Sequence, residues 1–167
     1  MSHIPEDRHK HGLVLDYTLE DNMILQRYFE PEFVSKAGFL IRKNIRAYAE
    51  RLIEQYDIRC GQGPVTMARS MSGGNQQKVV LSKCLMTEAD VLILDEPTRG
   101  IDVGAKYEIY ELMVELAKQG KGIIMISSET PEFVGMCDRA VVFYKGRISG
   151  ELSKKDLNQK NVVNLSV

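Results

Sequence analysis

What this chain lacks narrows its role before any motif is read. No stretch approaches the roughly 18 consecutive apolar residues that a bilayer-spanning helix requires. Residues Met1 to His11 are polar and charged, with no apolar core, and read as neither a signal peptide nor an anchor. Cysteine is scarce: Cys60, Cys84 and Cys137 are odd in number and lack C-x-x-C spacing. That argues against a disulfide framework or a zinc site and suits buried free thiols in a reducing cytoplasm. An excess of one charge is also missing. With 22 Lys and Arg against 23 Asp and Glu the net charge is −1, so bulk electrostatics gives no reason to expect a nucleic-acid partner or an anionic membrane. The three histidines all fall at positions 3, 9 and 11. His9-Lys10-His11 has no third ligand nearby in sequence and reads as a solvated terminus, not a metal site. No internal repeat or low-complexity tract is present. Finally, no pair of glycines five apart precedes Lys-Ser or Lys-Thr, so the phosphate-cradling pattern G-x-x-x-x-G-K-[ST] is absent from the 167 residues.

What remains is ordinary globular composition: 44% hydrophobic and 27% charged residues, enough for one domain or two small subdomains sharing a core. The first third reads as helical. Thr18, with Asp21 three residues on, predicts a capped helix reaching about Tyr28 before Pro31 breaks it. Ile41, Ile45, Tyr48, Ala49, Leu52, Ile53 and Tyr56 recur at helical spacing, and Gly61, Gly63 and Pro64 end that segment. Ser72 predicts an N-cap for a helix carrying Val79, Val80, Leu81, Cys84 and Leu85. Beyond Asp90 the pattern changes. Val91 to Leu94 and Ile123 to Ile126 read as strands buried on both faces. Between them Asp102 caps a helix, with Ile109, Met113 and Leu116 on its apolar face, that stops at Gly120. A short helix near Pro131 to Met136 follows. Ala140 to Tyr144 and Arg147 to Ser149 then bracket Lys145-Gly146 as a hairpin. Alternating strands and helices predict an α/β layer with parallel pairing.

Two segments carry chemistry. A buried strand ending in Asp95-Glu96 presents two acids at the carboxyl edge of a sheet, where open α/β folds bind ligands. There Asp95 could join a Mg²⁺ shell and Glu96 could orient or deprotonate a water. Ser72-Gly73-Gly74 at a helix start offers a hydroxyl, backbone N–H groups and the positive end of a helix dipole, all suited to phosphate. Each segment alone is a common accident: a strand meeting solvent, or a serine cap after a flexible loop. Their conjunction, Ser72 to Lys78 followed by an apolar helix and then Val91 to Thr98, is not.

On these residues the chain resembles the ABC ATPase family, from about His3 to its end. It is most similar to the second nucleotide-binding half of tandem ATPases that power bacterial monosaccharide importers of the ribose, galactose and xylose type. The finer likeness lies in Pro5-Glu6-Asp7-Arg8, Ser72 to Val79, Leu92 to Lys106, and Ser127-Ser128-Glu129 before Pro131-Glu132. Met71, where the signature usually has Leu, is a mild departure. The resemblance implies an α/β fold: the later half of a P-loop NTPase core with an N-terminal α-helical subdomain. It divides the chain into a Q-loop-like segment (1–17), an α-helical subdomain with the signature motif (18–87), and the C-terminal part of the nucleotide-binding core (88–167). It further implies that Ser72, Gly73 and Gly74 contact the γ-phosphate of ATP on an opposing cassette, supported by Asn75 and Gln76. Asp95 becomes the Walker B acid and Mg²⁺ ligand, Glu96 the catalytic carboxylate, and Asp102 the D-loop aspartate facing the partner. Glu6 falls in the Q-loop region that senses the membrane subunit, with the strand before it expected to be missing.

Two departures shape the functional expectation. Ser128 stands where the family's switch histidine belongs, and the P-loop is missing, so ATP and Mg²⁺ are expected to bind this chain weakly by itself. The expected role is the complementing side of another cassette's ATP site. The implied partners are a P-loop-bearing cassette, transmembrane permease subunits and, indirectly, an extracytoplasmic sugar-binding protein. The implied location is the cytoplasmic face of the cell membrane. Two alternatives stand beside this: a non-catalytic module that only pairs with a cassette or permease, and a non-transport ABC ATPase. Against the second, nothing in this chain resembles the coiled-coil or zinc insertions such proteins carry.

Overall fold

The structure is a computed structural model that describes residues 1–86 and 89–166. The expected subdomain boundary between residues 87 and 88 therefore lies outside the described residues. The chain divides into two compact units, Met1–Ile124 and Met125–Val167.

In the first unit, strand β1 (Ser2–Ile4) pairs in parallel with β2 (Val91–Asp95), Ile4 opposite Leu94. The strand expected to be missing before Glu6 is thus present. Three residues are too few to show a period, so only its partner reveals it. Strand β3 (Gly122–Ile126) completes a sheet of order β1-β2-β3.

The expectation that both later strands are buried on two faces is corrected. In β2 only Leu92 and Leu94 are fully buried, alternating with half-buried Val91, Ile93 and Asp95. In β3, at the sheet edge, Ile124 and Ile126 are about half exposed, at 52% and 50%. A continuous apolar run reports suitability for burial, not whether a layer covers each face.

The helices follow their local signals. Helix α1 (Leu19–Ile24) is capped by the Thr18 hydroxyl, which accepts from the Asp21 N–H and donates to the Asp21 carboxylate. It ends four residues earlier than Tyr28. Beyond it the chain closes i→i−3 bonds, Arg27 N–H to Ile24 at 2.7 Å and Glu30 N–H to Arg27 at 2.9 Å, a tightened continuation that is no longer α-helix. Helix α2 (Arg42–Gln55) buries Ile45, Tyr48, Ala49 and Leu52 on one face, and α1 packs against it. Helix α3 (Gly73–Leu85) contacts α1, β1 and α4 (Val103–Lys118). Helix α4 stops in a Schellman arrangement: Gly120 at φ +87° donates to Ala117, and Lys121 donates to Leu116.

The second unit holds α5 (Thr130–Met136), the antiparallel hairpin β4 (Arg139–Tyr144) and β5 (Arg147–Ser153), and α6 (Gln159–Leu165). Lys145 and Gly146, at φ +46° and +76°, make the tight hairpin turn. A register shift at Val142/Phe143 marks a bulge, which carries β5 past its expected end at Ser149. Val142, Leu157 and Val162 form this unit's core.

Candidate functional site

The start of α3 is built from side chains that fasten it on several sides. Ser72 is extended, and its Oγ accepts from the Asn75 N–H at 3.4 Å and from Asn75 Nδ2 at 2.9 Å. Asn75 Oδ1 in turn accepts the backbone N–H of Arg59 at 2.8 Å, tying the preceding loop to the helix. Gln76 points inward and is 5% exposed. Its Nε2 donates to the Ala68 carbonyl at 2.9 Å. Its Oε1 accepts from Arg8 Nε at 3.3 Å and lies 2.9 Å from His9 Nε2. Of the residues expected around a nucleotide, Gln76 is therefore placed as an internal support.

The two glycines are required by their neighbours. A Cβ at Gly73 would stand 2.9 Å from Arg8 Nη2 and 3.1 Å from the Gly100 carbonyl, and one at Gly74 would stand 2.3 Å from Ala105 Cβ. Their absence of side chains lets the first turn of α3 press against the Gly100–Ala105 segment.

Arg8 lies between these parts. Nη1 donates to the Arg99 carbonyl at 2.9 Å and Nη2 to the Gly100 carbonyl at 3.4 Å. Burial lowers its pKa, opposed by the charge of Asp7. Among the described residues no carboxylate forms an ion pair with it. A guanidinium with neutral acceptors beside the positive end of a helix is unfavourable alone, and an anion there would relieve it.

Next to this lies a cleft of about 620 Å³ lined by Glu6, Asp7, Arg8, Asp95, Arg99 and Gly100, among others. Asp95 ends β2, and Glu6 forms an ion pair with Arg99. Asp7 Oδ1 accepts the N–H groups of Lys10 and His9, each at 3.0 Å, capping a π-helical turn (Arg8–Gly12). Those bonds, Lys10 first, hold its carboxyl below the ordinary range. Glu96 sits at φ +46°, a left-handed conformation that a residue with a Cβ rarely adopts. Asp102 caps α4: Oδ1 accepts the Ala105 N–H at 3.0 Å. Glu6 and Asp95 thus share one cleft, while Ser72 to Gln76 and Asp102 stand at two helix starts joined through Gly73, Gly74 and Ala105. Ser128 belongs to the second unit, after Ser127, whose Oγ accepts the Glu129 N–H at 3.0 Å and donates to Glu132 at 2.7 Å.

The donor set fits part of a nucleotide site. Asp95 is a hard oxygen ligand of the kind Mg²⁺ takes. Ser72, the amides at the start of α3 and the nearby guanidinium suit phosphate from one side. The lysine-bearing cradle for the other side is absent from the sequence. Arg59 carried no sequence signal, Arg8 stood out only within Pro5-Glu6-Asp7-Arg8, and Arg99 only within Leu92 to Lys106.

A strand, β2, that runs into Asp95-Glu96 and pairs in parallel with β1, beside a serine-capped helix start, is an arrangement that suits an ATP-binding cassette core. The ABC transporter family profile matches residues 2–99, and the chain belongs to that family. It is 47% identical over 163 residues to a ribose import ATP-binding protein, RbsA, of Streptococcus agalactiae, covering 98% of this chain and 32% of that protein. It is 46% identical over 166 residues to an L-arabinose transport ATP-binding protein, AraG, of Geobacillus stearothermophilus, covering 99% and 31%. The chain thus spans about a third of the length of these relatives. Among solved structures it resembles the dimeric ATP-binding cassette MJ0796 bound to ADP and Pi, with TM-score 0.69 and 16% identity over 92% of this chain and 62% of that one. At that identity the likeness is one of fold.

Proposed function

We propose that this chain is the C-terminal part of the ATP-driven subunit of a sugar importer, from the second half of a tandem ATPase, and that it supplies the signature face of a shared ATP site. The observation carrying this is the start of α3, where Ser72 caps the helix and Gly73 and Gly74 form its first turn, a place suited to phosphate. The Ser72 hydroxyl donates to the γ-phosphate of a nucleotide held on an opposing cassette, and the helix amides neutralise its charge. Asp102 meets that partner. On the other side of the assembly, Asp95 would hold Mg²⁺, which would neutralise phosphate charge there, and Glu96 would position a water. ATP supplies the free energy that closes the pair; Glu6 is assigned to passing closure to the permease, and Ser128 is assigned separately to the same coupling.

The ribose and L-arabinose in its relatives' names support a sugar importer working with permease subunits and an extracytoplasmic binding protein, with this chain on the cytoplasmic face. No helix among the described residues is long and apolar enough to cross a membrane.

Binding to a P-loop-bearing cassette tests the reading. ATP should strengthen pairing, and Ser72→Arg should abolish the ATP-dependent part. Pairing that ignores both would overturn it. The purified chain by itself should hydrolyse no more ATP than its Glu96→Gln variant.

A further inference from the structure

Three segments distant in sequence meet at one guanidinium. The π-helical turn Arg8–Gly12 lies along a single face of α3, where Gln76, Val80 and Lys83 follow one another at spacings of four and three residues. Gln76 takes Arg8 and His9. Val80 leaves no room at Gly12, where a Cβ would stand 2.9 Å from Val80 Cγ2. Lys83 Nζ donates to the Gly12 carbonyl at 2.7 Å. Two turns of helix therefore grip residues 8–12, and that segment and α3 form one body.

The remaining nitrogens of Arg8 leave this body. They take the Arg99 and Gly100 carbonyls, in the turn between Asp95-Glu96 and Asp102. A planar fork can hold one acceptor on α3 and two on the turn at once, which a lysine ammonium on its flexible stem cannot reproduce. Half-burying such a cation with no carboxylate partner among the described residues gains little stability, so general stability is a poor account of it.

We propose that Arg8 is a positioning residue that locks the start of α3 to the Glu96–Asp102 turn, so that the phosphate-facing and acid-bearing loops move as one unit. Its use in nucleotide-driven closure rests on the function proposed above; the mechanical coupling does not.

Amide hydrogen exchange on the 167-residue chain tests the coupling directly. The Gln76 N–H is bonded to the Ser72 carbonyl and the Arg99 N–H to the Glu96 carbonyl, one reporter on each side of Arg8. In Arg8→Gln both should exchange about tenfold faster, with Arg8→Lys intermediate and α2 amides unchanged. Gln76→Glu keeps an acceptor for Arg8 and should keep the Arg99 amide slow, whereas Gln76→Leu should release it. Loosening of one reporter alone, or equal acceleration throughout α2, overturns the proposal. If Arg8→Gln does not fold, the two Gln76 variants decide it by the same criterion. A second arm measures ATP-dependent pairing with a P-loop-bearing cassette, where Arg8→Gln should weaken affinity about tenfold. If the unaltered chain does not pair, the functional reading fails and the exchange arm still judges Arg8. If the unaltered chain pairs and Arg8→Gln pairs equally well, the role of Arg8 is refuted.

Discussion

Gly74 faces Ala105 so closely that a methyl group on residue 74 would stand 2.3 Å from the Ala105 Cβ. This is where α3 and α4 touch. Gly74→Ala should cost about 1–3 kcal/mol through overpacking, read as a lower urea midpoint. Ala105→Gly in the same chain should restore most of the loss. A single Gly74→Ala as stable as the unaltered chain would show that the helices can part without penalty.

Glu96 carries a different backbone demand. At φ +46° a residue with a Cβ pays roughly 1 kcal/mol that glycine avoids. Glu96→Gly should therefore be about 1 kcal/mol more stable than Glu96→Ala. Both variants remove the carboxylate, so the difference isolates conformation from charge. Thermal midpoints of the two, compared side by side, give the answer.

Asn22 is fully buried and binds the first loop to α1 with both ends of its amide. Oδ1 accepts the Val14 N–H at 2.8 Å, and Nδ2 donates to the carbonyls of Val14 at 2.9 Å and Thr18 at 3.1 Å. Asn22→Ala leaves those backbone groups without their partner and should lose about 2–3 kcal/mol by urea unfolding. A loss below half of that would mean water replaces the amide.

Lys83 predicts a pH dependence. Burial lowers its pKa, with the neighbouring Cys84 opposing. In the range between the lowered value and the ordinary lysine value, the unfolded chain keeps the proton more often than the native one. Stability contributed through this group therefore rises with pH across that alkaline window. Lys83→Met should flatten the rise. An identical slope for both chains between neutral and alkaline pH would contradict it.

Much of the site was legible because its signals are local. A serine or aspartate cap acts on an N–H three residues away, so Ser72 and Asp102 marked the starts of α3 and α4 directly. The Schellman stop at Gly120 and the tight turn at Lys145-Gly146 are likewise set by backbone preferences of the residues themselves. The end of α1 was not legible. The same apolar residues suit an α-helix or the tighter turns that follow Ile24, and packing selects between them.

The chain alone determined a serine-capped helix ahead of an acid-tipped strand, and it excluded a P-loop within its 167 residues. Tertiary structure decided what surrounds them: a three-residue parallel strand at Ser2–Ile4, the inward turn of Gln76, and the meeting of Arg8 with Arg99 and Gly100. The physical reason is range. Caps, turns and periodicity act within a few residues. The partner of a guanidinium or an edge strand is chosen by whichever distant segment the folded chain brings within about 3 Å.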